Sequence, residues 1–98
     1  MAITDNITEE KLDKYFSVTK RALDKIEVCV PKRSHMFSVA EDMLDMARRY
    51  YEDASYFKNQ GDYVTAFAAL NYAHGWLDSG ARIGVFDVGY DSELFTVD

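Results

Sequence analysis

Asn71, His74, Asp78 and Arg82 recur at three- and four-residue spacing. On a helix, where each residue advances the chain by about 100°, they share one edge. An amide, an imidazole, a carboxylate and a guanidinium on one edge support two kinds of chemistry. They can line a small polar ligand pocket, with Arg82 taking an anion and His74 acting as a titratable group oriented by Asp78. Alternatively, Asn71, His74 and Asp78 can fasten their helix to a neighbour, because buried polar groups are generally hydrogen-bonded. Both readings stand at the level of the sequence.

Other chemistry finds less support. His35 and His74 are the only histidines, and neither Glu-x-x-His nor His-Glu-x-x-His occurs. His74 and Asp78 would give a metal two ligands from one helix, and the single Cys29 cannot build a zinc site. No metal and no cofactor is expected. The glycines at 75, 80, 84 and 89 fit neither a P-loop nor a dinucleotide fingerprint, so they are read as close helix packing. Ser79 lies five residues from His74, far around a helix from it, and Cys29 between Val28 and Val30 reads as a buried or structural thiol. No catalytic set emerges, and an enzyme is not the favoured expectation.

These residues sit in a central helix expected over 62–84. One stripe of it collects Tyr63, Ala66, Phe67, Leu70, Ala73, Leu77, Gly80, Ala81 and Gly84 as a core face. A second stripe, roughly opposite, collects Ala69, Tyr72, Trp76 and Ile83. Ala68, Gly75 and Ser79 form a shallow small-residue groove between them. A helix apolar on most sides is normally buried on most sides.

Two more helices should surround it. Thr8 is a good N-cap for a helix over 8–28, whose apolar face runs through Leu12, Tyr15, Phe16, Thr19, Ala22, Leu23 and Ile26. Pro31 ends that run, and Ser34 can cap a helix over 34–60 with an apolar arc wide enough to touch two neighbours. Its other side, from Glu41 to Asp53, reads as a solvated charged face. Gly61 suits a left-handed helix end and Asp62 the next N-cap, so helices two and three must fold back on each other. The expectation is a single all-α domain over 1–98: a three-helix antiparallel up-down-up bundle with no sheet and a C-terminal tail at 86–98. Phe86, Val88, Leu94 and Phe95 are expected to pin the tail to the bundle, over Trp76, with the last residues loose.

Composition narrows the partners. The chain has 98 residues, 48% of them hydrophobic, enough for one modest core. Its formal net charge of -6 argues against nucleic acid and against an anionic membrane surface. No apolar run approaches a transmembrane length, and the start MAITDNITEE has no signal-peptide core. With one cysteine, the expected compartment is the reducing cytoplasm.

The run AALNYAHGWLDSGARIGVFDV, joined upstream to ARRYYEDASYFKNQGDYVTA, resembles a small archaeal family, domain of unknown function 357. The resemblance covers nearly the whole chain, from ITEEKLDKYF to ELFTVD. It implies a compact, all-helical, archaeal cytosolic protein and implies no activity. Ala54, Phe57, Gly61, Asp62, Tyr63, Ala66 and Ala73 also fall near a tetratricopeptide pattern, but no second copy follows at the repeat period.

The apolar surplus decides the preferred function. Tyr72, Trp76 and Ile83 point away from the inner core, and such a ridge needs a cover. The expectation is a non-enzymatic helical interaction module that forms a homodimer or binds a protein partner. The alternative is a small-ligand-binding protein or enzyme accessory domain that uses Asn71, His74, Asp78 and Arg82.

Overall fold

A computed structural model describes residues 7–88 of the chain. Helix α1 spans Glu9–Lys25. The Thr8 hydroxyl accepts a hydrogen bond from the Lys11 amide at 3.1 Å, and Glu9 and Glu10 occupy the first turn, where the helix dipole favours acids. The helix stops at Lys25, short of the expected boundary at 28. Ile26 is extended, and Glu27–Val28 (β1) pairs antiparallel with Phe86–Asp87 (β2), with Val28 opposite Phe86.

The expectation of no sheet therefore fails in one small place. The cause is local. In Ile26-Glu27-Val28-Cys29-Val30, β-branched residues alternate with polar ones, the period of a strand and not of a helix. Ile26, Val28 and Val30 are half-buried, while Glu27 and Cys29 are exposed. Cys29 is thus not a buried thiol. Its amide donates to the Val85 carbonyl at 3.0 Å and its thiol to the Gly84 carbonyl at 3.2 Å.

Helix α2 spans His35–Asn59 and α3 spans Tyr63–Ile83. Ser34 occupies the N-cap of α2, but its hydroxyl donates to the Pro31 carbonyl at 2.6 Å and does not cap the helix. The other end follows the expectation. Gly61 takes φ 77°, and the Gly61 and Asp62 amides close on the Lys58 and Phe57 carbonyls at 3.0 and 2.9 Å. Asp62 then accepts from the Thr65 amide at 3.1 Å and starts α3.

The α2–α3 hairpin is the main packing unit, and α1 lies chiefly against α3. Small residues let the two long helices approach. Ala40, Ala47 and Ala54 recur every seven residues on α2, and Ala66, Ala73 and Gly80 do so on α3; all six are buried. The interior falls into two clusters. One holds Leu12, Ala54, Ala66, Ala69 and Leu70 with a surround of aromatic rings. The other holds Ala22, Ala40, Met43, Ala47 and Leu77, and it is completed by Val85, Phe86 and Val88 from beyond α3. So the all-α three-helix bundle stands as expected, with a two-stranded clasp closing one end.

That clasp depends on two glycines of α3. Gly84 was expected to pack in the core stripe; it instead ends the helix at φ 85°, with the Val85 amide returning to the Gly80 carbonyl at 3.0 Å. This turn carries Phe86 back over Gly80, and its ring occupies the space that a Cβ on Gly80 would need. Phe86 is 3% exposed. The tail is therefore pinned at Phe86 and Val88 as expected, whereas Leu94 and Phe95 lie outside the described residues.

Candidate functional site

Two grooves open on the two flanks of α3. The first, about 290 Å³, lies between α1 and α3 and is lined by Tyr15, Val18, Thr19, Leu70, Asn71, His74, Gly75 and Asp78. Three of the four residues singled out on the polar edge meet here. His74 Nε2 lies 3.7 Å from Asp78 Oδ2, and both side chains are partly exposed. Asn71 is exposed and reaches the same rim. Arg82 does not join them: it is exposed and absent from the lining. Arg82 stands about three turns beyond Asn71 and nearly in line with it, but one turn past Asp78, the last residue of α3 in the lining.

The residues that the sequence did not single out come mostly from α1. Tyr15, Val18 and Thr19 form the opposite wall, and Thr19 is only 2% exposed. Tyr15 is held in place by an edge contact with Phe67, ring centroids 4.7 Å apart. A signal did exist: Tyr15 and Thr19 are the two hydroxyl-bearing members of the apolar face of α1, four residues apart.

The second groove, about 390 Å³, lies on the α2 side and is lined by Tyr50, Asn71, Tyr72, Gly75, Trp76 and Ser79. The Tyr50 and Tyr72 rings stack at 5.3 Å with 24° between planes. Asn71 and Gly75 belong to both grooves, so the polar edge and the aromatic side are neighbours and not remote from each other. The expected small-residue groove is present in part, through Gly75 and Ser79.

Gly75 corrects one expectation. A Cβ built there meets nothing within 4 Å, so this glycine is not a site of close packing in the way Gly80 is. The apolar ridge is also altered. Tyr72 and Ile83 are 64% and 58% exposed, but Trp76 is half-buried and packs against the cluster that contains Leu77 and Phe86.

The family model described as "Protein of unknown function (DUF357)" matches residues 14–86. The chain belongs to that family. The match to DUF357 begins in α1 just before Tyr15 and ends at Phe86, so it spans every residue lining both grooves. Neither the curated proteins nor the solved structures contain a match to the chain.

The remaining electrostatics fasten the bundle. Lys58 reaches from α2 to Asp13 of α1 at 2.6 Å, and this hydrogen bond holds the Lys58 ammonium above its usual range. Lys20 is likewise raised, by its hydrogen bond and ion pair with Asp24 at 2.7 Å. Asp45 and Arg49 pair at 2.9 Å along the solvated face of α2. Among the described residues no three of His, Cys, Asp and Glu converge as a metal cluster would, and no helix is long and apolar enough to cross a membrane.

Proposed function

We propose that this protein is a non-enzymatic helical interaction module of the cytoplasm that self-associates, as a two-fold homodimer, through the outward face of α3. The observation that carries this reading is the chemistry of that face. Its exposed residues are Val64, Ala68, Asn71, Tyr72, Gly75, Ser79, Arg82 and Ile83, and Arg82 is the one charge among them. The outward faces of the other two helices are dense in charge: Glu10, Lys14, Lys20, Arg21 and Asp24 on α1, and Glu41, Asp42, Asp45, Arg48, Arg49, Glu52 and Asp53 on α2.

Charge also favours a second copy as the occupant. The chain carries a net charge of -6, so two copies repel each other wherever acidic faces meet. The exposed face of α3 carries no acid. A two-fold axis near Gly75 would bring this face against itself with the least repulsion, and two-fold dimers are the commonest homo-oligomers. The open space at Gly75 and the small side chains of Ala68 and Ser79 allow a close helix crossing. Tyr72 and Ile83 supply the apolar contact on either side. The exposed Cys29 thiol, alone in the sequence, suits a reducing compartment.

Sedimentation equilibrium tests the proposal. The parent is expected to be a dimer at micromolar concentration and Tyr72→Glu a folded monomer, while Asp45→Ala on the charged face of α2 leaves the dimer intact. A monomeric parent throughout that range would sink the reading.

A further inference from the structure

Arg82 is the one charged side chain on the outward face of α3, and among the described residues no ion pair holds it. Asp78, one turn earlier, lies 3.7 Å from His74. A guanidinium on an otherwise uncharged face resists burial in a dimer unless the second copy offers it an acceptor. The exposed face of α3 carries no acid, so an acid for Arg82 has to come from another helix of that copy.

The register of the hairpin names the acid. Tyr50 of α2 stacks on Tyr72 of α3, ring centroids 5.3 Å apart. The two helices run antiparallel, so one turn forward on α2 is one turn back on α3. Asp53 therefore stands level with Ala68, one turn beyond Tyr50 and on its flank of α2. Asp53 is exposed, and among the described residues no ion pair holds it either.

The next step rests on the two-fold contact at Gly75 proposed above. An axis running along α3 would set each residue near its own copy and bring Arg82 against Arg82. An axis across α3 at Gly75 reverses the order. Arg82, seven residues past Gly75, then meets the level seven residues before it, which is that of Ala68. At ~1.5 Å of rise per residue, both levels lie roughly 10 Å from the axis. Ala68 is small and exposed, which leaves a long side chain room to reach over it toward α2. We infer that α3 crosses its copy antiparallel and that Arg82 of each copy pairs with Asp53 of the other, beside the Tyr50–Tyr72 stack. The pairing gives the one cation of the face a carboxylate and sets the parallel arrangement at a disadvantage. Fixing register and excluding wrong arrangements is the main contribution of charge to an interface.

Charge reversals test the pair, read by sedimentation equilibrium at low salt, where exposed charges are least screened. Arg82→Glu and Asp53→Arg should each weaken the dimer about tenfold or more, since two symmetry-related attractions become repulsions. The combination of the two keeps the net charge of the parent and should bring the affinity back to within about threefold of it. Glu41→Arg is the control: it changes the net charge as Asp53→Arg does, from a distant place on α2, and should leave the dimer no weaker. All three positions are exposed, so each variant should keep the helical circular dichroism of the parent. A dimeric parent that tolerates Asp53→Arg, or a combination as weak as its single members, overturns the pairing and leaves self-association standing. Equal weakening by Glu41→Arg does the same. A parent that stays monomeric overturns both.

Discussion

Gly75 and Gly80 stand five residues apart on α3, and each costs the helix about 1 kcal/mol relative to alanine. The fold uses them differently. At Gly80 the missing side chain admits the ring of Phe86, and with it the clasp that closes one end of the bundle. At Gly75 the missing side chain admits nothing; it leaves an opening where the two grooves meet. The same residue type on one helix therefore serves internal packing in one place and an external surface in the other. A glycine whose cost is not offset by the fold directs attention to what lies outside the fold.

The largest expected effect tests the packed member of the pair. Phe86→Ala removes a ring that is 3% exposed and should cost about 3–5 kcal/mol in chemical denaturation. Gly80→Ala puts a methyl group where that ring lies. It should destabilise by roughly 1–3 kcal/mol although alanine is the better helix former. In the Phe86→Ala background the added methyl group has room, so Gly80→Ala should become neutral or favourable there, a coupling that a double-mutant cycle reads. If Gly80→Ala alone were neutral, the contrast between the two glycines would collapse.

How much of this was legible in the sequence depends on the range of the interaction. The helices, the turn at Gly61 and the caps at Thr8 and Asp62 are set by neighbours within about four residues. Those could be read directly, as could the acid-before-base pair of Asp45 and Arg49. The clasp could not, because the two-residue period of Ile26 to Val30 is short and its partner lies more than fifty residues on. Gly80 looks the same as Gly75 in a one-dimensional pattern; only Phe86 tells them apart. Periodicity grouped Asn71, His74 and Asp78, and all three line one groove. It carried Arg82 along because a straight stripe ignores where the neighbouring helix ends its contact, and it was silent about Tyr15, Val18 and Thr19 because it cannot place one helix against another.

A smaller effect of opposite sign sharpens the comparison at its open member. In dilute protein Gly75→Ala should stabilise the fold by about 0.5–1 kcal/mol, since the helix gains alanine and the new methyl group meets no neighbour. For a domain of this size that is a rise of a few degrees in Tm. The same substitution adds bulk at the proposed dimer axis, so the dimer should weaken while the monomer gains. A destabilised monomer would show that Gly75 is packed after all and would remove the distinction.

The smallest effect separates how the two ends of α3 are fastened. The C-terminal end is held by Phe86 under Gly80, an apolar contact indifferent to pH. The N-terminal end is held by Asp62, whose carboxyl is kept below its ordinary value of 3.8 by hydrogen bonding from Thr65, the side chain first and the amide second. A depressed carboxyl pKa stabilises the folded state fully above the unfolded value. That contribution fades as pH falls through the folded value, because the protonated cap no longer binds the Thr65 amide as strongly. Amide hydrogen exchange at Thr65 and Ala66 should therefore quicken as pH drops below about 4, once the intrinsic pH dependence of exchange is divided out. Exchange at Val85, whose amide is bonded to Gly80, should not follow. Asp62→Asn keeps a capping oxygen without the charge, so its profile should lose the acid step at Thr65. Equal acid sensitivity at Thr65 and Val85 would mean that α3 frays as one unit, with no division between a charge-held end and a packed one.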